Sequence, residues 1–173
     1  MKSKTEALLK ALNVLAWVAF FGLCIKAGAI LFSYFVSIGN PQAARDLYMG
    51  LDLHIYRQQN FANYTILVGY LVVLYSMQAH VAFLVTSLLS RINISKPFSE
   101  DVAKLMQKIS VNILSIWVVA MIHNLHMGLL EKSYGFAATY IPGEFIFLAG
   151  IVYVIAQMFK RGVEIQSENE LTV

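Results

Sequence analysis

The sequence predicts an all-α fold: an integral membrane four-helix bundle with both termini on the cytoplasmic side. Three features of the 173-residue chain predict it. Hydrophobic residues make up 58% of the chain and charged residues 13%, whereas soluble domains are about 45–50% apolar and about 25% charged. The apolar residues are concentrated in four long runs. The basic residues are concentrated in the segments on one side of those runs.

The four apolar runs are long enough to cross a bilayer. About 30 Å of hydrocarbon requires roughly 20 helical residues, and the runs cover residues 12–38, 64–89, 111–130 and 143–159. Each run contains Gly, Ala or Ser, which let membrane helices approach one another closely. We therefore expect a single membrane domain over residues 1–173.

The beginning of the first run also resembles a secretory signal peptide. Lys2, Lys4 and Lys10 precede the apolar stretch, and residues 27–29 are small, as at a cleavage site. Residues 30–36 then continue as further apolar sequence. This continuation favours a membrane span over a cleaved signal.

The distribution of Lys and Arg predicts the orientation, because cytoplasmic loops of membrane proteins retain positive charge. Nine of these residues lie in the N-terminal segment, the second loop and the C-terminal tail: Lys2, Lys4, Lys10, Arg91, Lys96, Lys104, Lys108, Lys160 and Arg161. Three lie in the first and third loops: Arg45, Arg57 and Lys132. Lys26 lies within the first span. Both termini are therefore expected in the cytoplasm.

The two longer loops carry local signals of their own. In the first loop, residues 39–63, Asn40 and Pro41 predict a turn followed by a short helical stretch through Met49, and we expect this loop to lie on the outer surface as a cap. In the second loop, Ser99 is a predicted N-cap with acidic residues in the first helical turn.

An amphipathic cytoplasmic helix is predicted over residues 99–110, running straight into the third span. Its apolar residues recur at helical spacing with charged residues between them: Val102, Leu105, Met106 and Ile109 alternate with Asp101, Lys104 and Lys108. The simpler interpretation is an interfacial anchor. The alternative is a docking face for a cytoplasmic partner, with Phe98, Lys104 and Lys108 as candidate contacts.

Seven polar residues at membrane depth need an explanation, because ionisable groups there are expensive. They are Lys26, Gln78, His80, His123, Asn124, His126 and Glu144. Counting helical rises from the cytoplasmic edge places Lys26, His123 and Glu144 in one layer at about 21 Å. We predict that Lys26 and Glu144 form an ion pair near His123. The alternative is that each charge reaches an interface separately.

The intramembrane histidines raise the question of a metal or haem. His123 and His126 share one helix face at i and i+3 and could bind a divalent metal with Glu144, and His80 with either histidine could ligate a haem. His80 lies about 8 Å lower than His123 on the same count. The simpler interpretation is that these histidines form hydrogen bonds between helices. No metal site and no cofactor are therefore predicted.

Several classes of function find no support in the sequence. The single cysteine, Cys24, excludes an intramolecular disulfide and a zinc site of the Cys-pair type. The net charge of +3, without a continuous basic run, does not favour direct nucleic-acid binding. There is no nucleophile elbow and no phosphate-binding glycine loop. We expect a protein that is not an enzyme.

The C-terminal sequence carries a resemblance to a known family. The last span ends in Phe-Lys-Arg-Gly (159–162), followed by Val-Glu-Ile-Gln (163–166) and Glu-Asn-Glu-Leu-Thr-Val (168–173). This end resembles that of the bacterial YoaS-like family of four-span membrane proteins, a domain of unknown function. Lys-Pro-Phe at residues 96–98 is similar as well. Family members commonly have Asn-Asp where this chain has Asn-Glu at 169–170.

The resemblance implies a bacterial inner-membrane protein, encoded in many cases beside a small helix-turn-helix regulator. It therefore implies a regulatory or sensory membrane partner of a cytoplasmic transcriptional regulator. Glu164, Glu168 and Leu171 are further candidate contacts, and the simpler interpretation of this tail is a solvated helix end. The alternative function is a small transporter or a metal- or haem-binding subunit that uses the layer of Lys26, His123 and Glu144. Homo-oligomers are compatible with either.

Overall fold

The computed structural model describes residues 2–93, 98–135 and 138–170. In these residues the chain is helical, without a β-strand, and five α-helices are formed: α1 (Lys2–Gly39), α2 (His54–Gln59), α3 (Phe61–Arg91), α4 (Glu100–Tyr134) and α5 (Phe145–Glu170). All but α2 are long and apolar enough to cross a membrane. This confirms the predicted all-helical fold with four helices long and apolar enough to span a membrane. Each predicted span overlaps one of them.

The four long helices lie in a row. α1 packs against α3, α3 against α4, and α4 against α5. Among the described residues, α1 and α5 make no close backbone contact with each other. The predicted bundle is therefore open between its first and last helices. Lipid chains are as apolar as the outer faces of α1 and α5, so no hydrophobic force requires those faces to meet.

The first loop folds over the helix ends where α1 finishes and α3 begins, and we call this the cap end. A 3₁₀ helix (Pro41–Arg45) follows Asn40, whose side chain accepts a hydrogen bond from the backbone N–H of Gln42. α2 then packs against both the 3₁₀ helix and α3. The loop buries the side chains of Ala44, Leu47, Leu53 and Tyr56.

The predicted helical stretch through Met49 is wrong beyond Arg45. Met49 and Gly50 have φ angles of 48° and 84°, a left-handed conformation that cannot continue a helix. The carboxylate of Asp46 accepts a hydrogen bond from the Gly50 N–H at 2.9 Å. This Asp side chain stabilises the turn locally, which the apolar pattern of the loop does not indicate.

α4 is one continuous helix of 35 residues that joins the two ends of the molecule. Ser99 is its N-cap, as predicted: the side-chain oxygen accepts a hydrogen bond from the Val102 N–H at 3.3 Å. Its C-terminus is Gly135 in the left-handed conformation at the cap end. We call the opposite end, where α4 begins and α5 finishes, the tail end.

Candidate functional site

A cleft of about 1020 Å³ lies at the cap end, between the first loop, α3 and α4, and we call it the cap cleft. Its loop residues include Arg45, Asp52, His54, Tyr56 and Gln58, and its helix residues include Leu67, Leu71, Tyr75, His123 and Met127. Clefts that bind small molecules have volumes of roughly 300–1,000 Å³. The cap cleft is at the upper end of that range.

The helical periodicity explains why the cleft is polar at two levels and apolar between them. Leu67, Leu71 and Tyr75 are four residues apart and share one face of α3. They cover about 12 Å along that helix, with Tyr75 farthest from the first loop. His123 lies one turn deeper on α4 than Met127. The cleft therefore has a polar mouth in the first loop, apolar walls, and a polar floor of Tyr75 and His123.

His123 is buried at the floor, with 5% of its surface exposed. Its Nδ1 lies 3.3 Å from Oδ1 of Asn124. The ring of Tyr70 on α3 lies edge-to-face against both His123 and His126, with centroids 5.7 and 5.9 Å apart. The two predicted histidines are thus brought together around one tyrosine. The Nδ1 of His126 is buried there without a hydrogen-bond partner.

Asn124 anchors the loop between α4 and α5 to the membrane helices. Its Nδ2 donates to the backbone oxygen of Ile141 and its Oδ1 accepts from the Ile141 N–H, both at 2.8 Å. A partly buried peptide group needs such partners, because a lost hydrogen bond there is costly. Asn124 was predicted only as a polar residue of the third span. Its backbone partner depends on the loop conformation.

His54 is the site residue that sequence reasoning missed. It is 8% exposed and lines the cleft. Its Nδ1 lies 3.0 Å from the backbone oxygen of Pro41, and its backbone N–H donates to Asp52 at 2.8 Å. Its Nε2 is buried without a hydrogen-bond partner. The sequence places His54 in a loop, and only the Asp-x-His spacing at a helix start could have indicated a fixed position.

The predicted ion pair between Lys26 and Glu144 is not formed. The Lys26 ammonium lies over the ring of Tyr75 on α3, 4.2 Å from its centroid. Glu144 is exposed just before α5, and α5 lies at the far end of the row of helices from α1. Counting residues along a helix estimates how deep a residue lies in the membrane. Which residues come into contact depends on which helices are neighbours. A cation on an aromatic face is also a favourable arrangement for a partly buried lysine.

Arg57 fastens the cap to the end of α1. Its Nε donates to the backbone oxygen of Ser37 at 2.9 Å and its Nη2 to that of Ile38 at 3.1 Å. These are carbonyls of the last helical turn, which lack partners within the helix and carry its partial negative charge. The hydroxyl groups of Ser37 and Tyr64 are 2.7 Å apart and link α1 to α3 beside them.

Other predicted polar residues lie away from the cleft. His80 is exposed in a groove between α1 and α3 with Phe20 and Cys24. Gln78 is half-buried on α3. Among the described residues, no group of three or more His, Cys, Asp or Glu side chains is placed to hold a metal ion. The structure therefore separates His80 from the His123 and His126 pair.

The predicted docking residues are distributed over the tail end. The ring of Phe98 packs on that of Phe159, with centroids 5.4 Å apart. Lys104 pairs with Glu100 at 3.1 Å, and Glu164 pairs with Arg161 at 2.7 Å. Lys108 and Glu168 are exposed. Lys96 and Leu171 lie outside the described residues.

Electrostatics at the mouth of the cleft favour the neutral phenol form of Tyr56. Burial, followed by the nearby charge of Glu131, raises the pKa of Tyr56 above its ordinary value. The side chain is therefore uncharged at physiological pH. Asp52 and Arg45 are the charged residues of the mouth.

The chain was compared with known families, curated proteins and solved structures. The family model described as "Protein of unknown function (DUF2975)" matches residues 39–173, which is most of the chain. No curated protein and no solved structure matches it. The matched region includes the first loop, α3, α4 and α5, and thus the residues that line the cap cleft.

Proposed function

The chain belongs to the family of proteins of unknown function DUF2975, and we propose that it is a sensory membrane protein. In this proposal the cap cleft takes a small molecule at the outer side of a bacterial inner membrane. The tail end lies in the cytoplasm, together with both termini, and contacts a cytoplasmic protein such as a small transcriptional regulator. The role is not enzymatic.

The observation that carries the proposal is the continuity of α4. This helix supplies His123 and Met127 to the cleft and runs without a break to Glu100 at the tail end. A ligand that contacts one part of a rigid helix can bias the position of its other end, provided that it binds two arrangements of the helix unequally. A sensor requires such a connection between two surfaces.

The tail end has the contacts that a movable junction needs. Phe98 precedes α4 and lies against α5, where a Cβ atom built on Gly162 would be 2.5 Å from the Phe98 ring. Phe98 is nevertheless 41% exposed. The ion pairs beside it are exposed and contribute little to stability. A small displacement of α4 could therefore release or seat Phe98 at low energetic cost.

The alternative functions, a small transporter or a metal- or haem-binding subunit, receive less support. Both depend on Lys26, His123 and Glu144 acting together, and Glu144 lies apart from Lys26. His80 faces a different groove from His123. We therefore prefer the sensory role.

Orientation is tested by cysteine labelling in intact cells. Replacing Cys24 by Ser leaves a chain without cysteine, into which Gln59→Cys at the cap end or Lys108→Cys at the tail end is introduced. A membrane-impermeant maleimide should label Gln59→Cys in intact cells and Lys108→Cys only after permeabilisation. The opposite pattern would contradict the proposal. The cysteine-free chain controls for background labelling.

The partner is tested with a photo-crosslinking amino acid. Placed at Lys104 or Lys108, it should form an adduct with a soluble cytoplasmic protein in cells. The matched control site is Leu114, which is exposed on the same helix within the apolar span. If the two tail-end sites give only the lipid and membrane-protein adducts found at Leu114, the partner role is wrong.

A further inference from the structure

The two histidines that line the cap cleft, His54 and His123, both have Nδ1 beside a carbonyl oxygen. Nδ1 of His54 lies beside the backbone oxygen of Pro41 at 3.0 Å, and Nδ1 of His123 lies beside Oδ1 of Asn124 at 3.3 Å. Carbonyl oxygens only accept hydrogen bonds, so each Nδ1 must be the donor. In a neutral imidazole the other nitrogen is then an acceptor. In its neutral form, each of the two rings therefore has Nε2 as a hydrogen-bond acceptor.

The backbone fixes which atom of Asn124 faces His123. The Ile141 N–H needs an acceptor and the Ile141 oxygen needs a donor, and both bonds are formed at 2.8 Å. Rotating the amide by 180° would place donor against donor and acceptor against acceptor. The atom beside His123 is therefore the oxygen. This determines the tautomer of His123.

Neither Nε2 atom has a partner in the described residues. That of His54 is buried and unpartnered, and His123 makes its one side-chain hydrogen bond through Nδ1. The two side chains are 8% and 5% exposed, and both line the cleft. An acceptor without a donor on a side chain this little exposed is unfavourable. Nε2 of His54 is fully enclosed, whereas Nε2 of His123 is not among the enclosed atoms without a partner, so an occupant of the cleft can reach it. The cleft therefore favours an occupant that donates hydrogen bonds.

Charge around the cleft decides between an ammonium and a hydroxyl donor. The Lys26 ammonium occupies one face of the Tyr75 ring, 4.2 Å from its centroid, and Arg45 lines the mouth. The Asp52 carboxylate already accepts from the backbone N–H of His54. The charges of Arg45 and Asp52 offset each other at the mouth, whereas the positive charge of Lys26 lies beside Tyr75 of the floor. A cationic group beside His123 would meet that charge, so a neutral hydroxyl is favoured.

We propose that the cap cleft binds a neutral amphipathic molecule whose hydroxyl group donates a hydrogen bond to Nε2 of His123. The apolar part of the molecule lies against Leu67, Leu71 and Met127, which line the cleft between its polar levels. Histidines that bind a metal have the same arrangement: one ring nitrogen binds the metal and the other donates a hydrogen bond to an oxygen. A metal is less favoured, because the described residues supply no third ligand. The inference rests on the proposed sensory function, since it gives the class of molecule sensed.

The test compares two probes that differ in one hydrogen-bond donor. 4-Octylphenol and its methyl ether, 4-octylanisole, have the same apolar body, and their binding to the purified full-length protein in detergent is measured by calorimetry. The wild type should bind the phenol roughly three- to tenfold more tightly, the effect of one net hydrogen bond. In His123→Phe, which keeps a ring against Tyr70, the two probes should bind equally.

Three outcomes would overturn the proposal. Equal binding of the probes to the wild type would remove the hydroxyl preference. If the preference for the phenol survives in His123→Phe and disappears in His54→Phe, His54 and not His123 accepts the hydrogen bond. Tight binding of Zn²⁺ alone, lost in both variants, would identify a metal site instead.

A measurement on the wild type keeps the proposal testable if His123→Phe does not fold. Nitrogen-15 NMR of the histidine rings should show the proton of neutral His123 on Nδ1, and a proton on Nε2 would overturn the inference. A different result would contradict the proposed sensory function without affecting the ligand class. If the phenol is preferred but its binding does not change amide exchange over residues 100–110, the ligand class stands and the sensory role is wrong.

Discussion

The cap end and the tail end of this molecule are held together by different kinds of interaction. At the cap end, side chains bind backbone groups of other elements: Arg57 holds the end of α1, and Asn124 holds Ile141. At the tail end, the described ion pairs are exposed: Lys104 with Glu100 and Arg161 with Glu164 within one helix, and Arg91 with Asp101 between α3 and α4. Phe98 provides an aromatic contact to α5.

This difference teaches how one helix can join a fixed end to an adjustable one. Hydrogen bonds to partly buried backbone groups cost more to break, because water replaces the lost partner less readily there. Exposed ion pairs cost little. Substitutions at the cap end should therefore affect stability more than substitutions at the tail end. The following predictions are ordered from the largest effect to the smallest.

Arg57→Met should have the largest effect. It removes two charge-assisted hydrogen bonds to the last carbonyls of α1, and we expect a loss of about 3 kcal/mol in the free energy of unfolding. The measurement is SDS-induced unfolding in mixed micelles. Arg45→Met, at an exposed arginine of the same loop, is the control and should change stability by less than about 0.5 kcal/mol. Equal losses in both variants would contradict the role of Arg57.

Asn124→Leu should destabilise the protein by about 2 kcal/mol, because it breaks two hydrogen bonds and leaves the peptide groups of Ile141 without partners. The matched control is Asn112→Leu on the same helix. Within the described part of the chain, Asn112 donates to the carbonyl of Lys108 one turn earlier on the same helix, so its replacement should have a much smaller effect. Amide exchange of Ile141 should accelerate in Asn124→Leu alone, and unchanged exchange would refute the anchoring role.

Gly162→Ala should displace Phe98 from α5. The added Cβ would lie 2.5 Å from the Phe98 ring, and such overpacking costs about 1–3 kcal/mol where the ring cannot move. Because Phe98 is partly exposed, we expect a cost near 1 kcal/mol. Gly150→Ala has open space around it and should not destabilise. Phe98→Ala should remove most of the penalty of Gly162→Ala. If the stability effects of the two substitutions are additive, Phe98 does not contact α5 at Gly162.

Ser99→Ala should cost about 1 kcal/mol, the usual value for an N-cap hydroxyl. Lys104→Met should cost less than about 0.5 kcal/mol, because its ion pair is exposed. Circular dichroism during thermal unfolding in detergent compares the two. A larger loss from Lys104→Met than from Ser99→Ala would contradict the weak energetics inferred for the tail end.

The features that the sequence predicted are those encoded locally. Apolar runs indicate the four spanning helices, and Ser99 with the acidic residues after it indicates the start of α4. Each of these signals lies within a few turns of the structure that it predicts. They do not require knowledge of which helices are neighbours.

The features that the sequence did not predict depend on lateral order and on the loop conformation. Lys26 and Glu144 have similar predicted depths, yet α3 and α4 lie between their helices. His54 and Arg57 acquire their roles only when the first loop folds back on α1 and α3. Periodicity along one helix contains no information about contacts between different helices and loops. The candidate site was therefore predicted in part, through His123.

The central claim is that the cap cleft is connected to the tail end through α4. Leu71→Trp places a bulky side chain in the cleft, and Leu114→Trp places the same side chain on an exposed part of α4. Hydrogen–deuterium exchange over residues 100–110 is measured in both variants and in the wild type. The account predicts a changed exchange rate in Leu71→Trp and no change in Leu114→Trp. Identical exchange in all three proteins would contradict it.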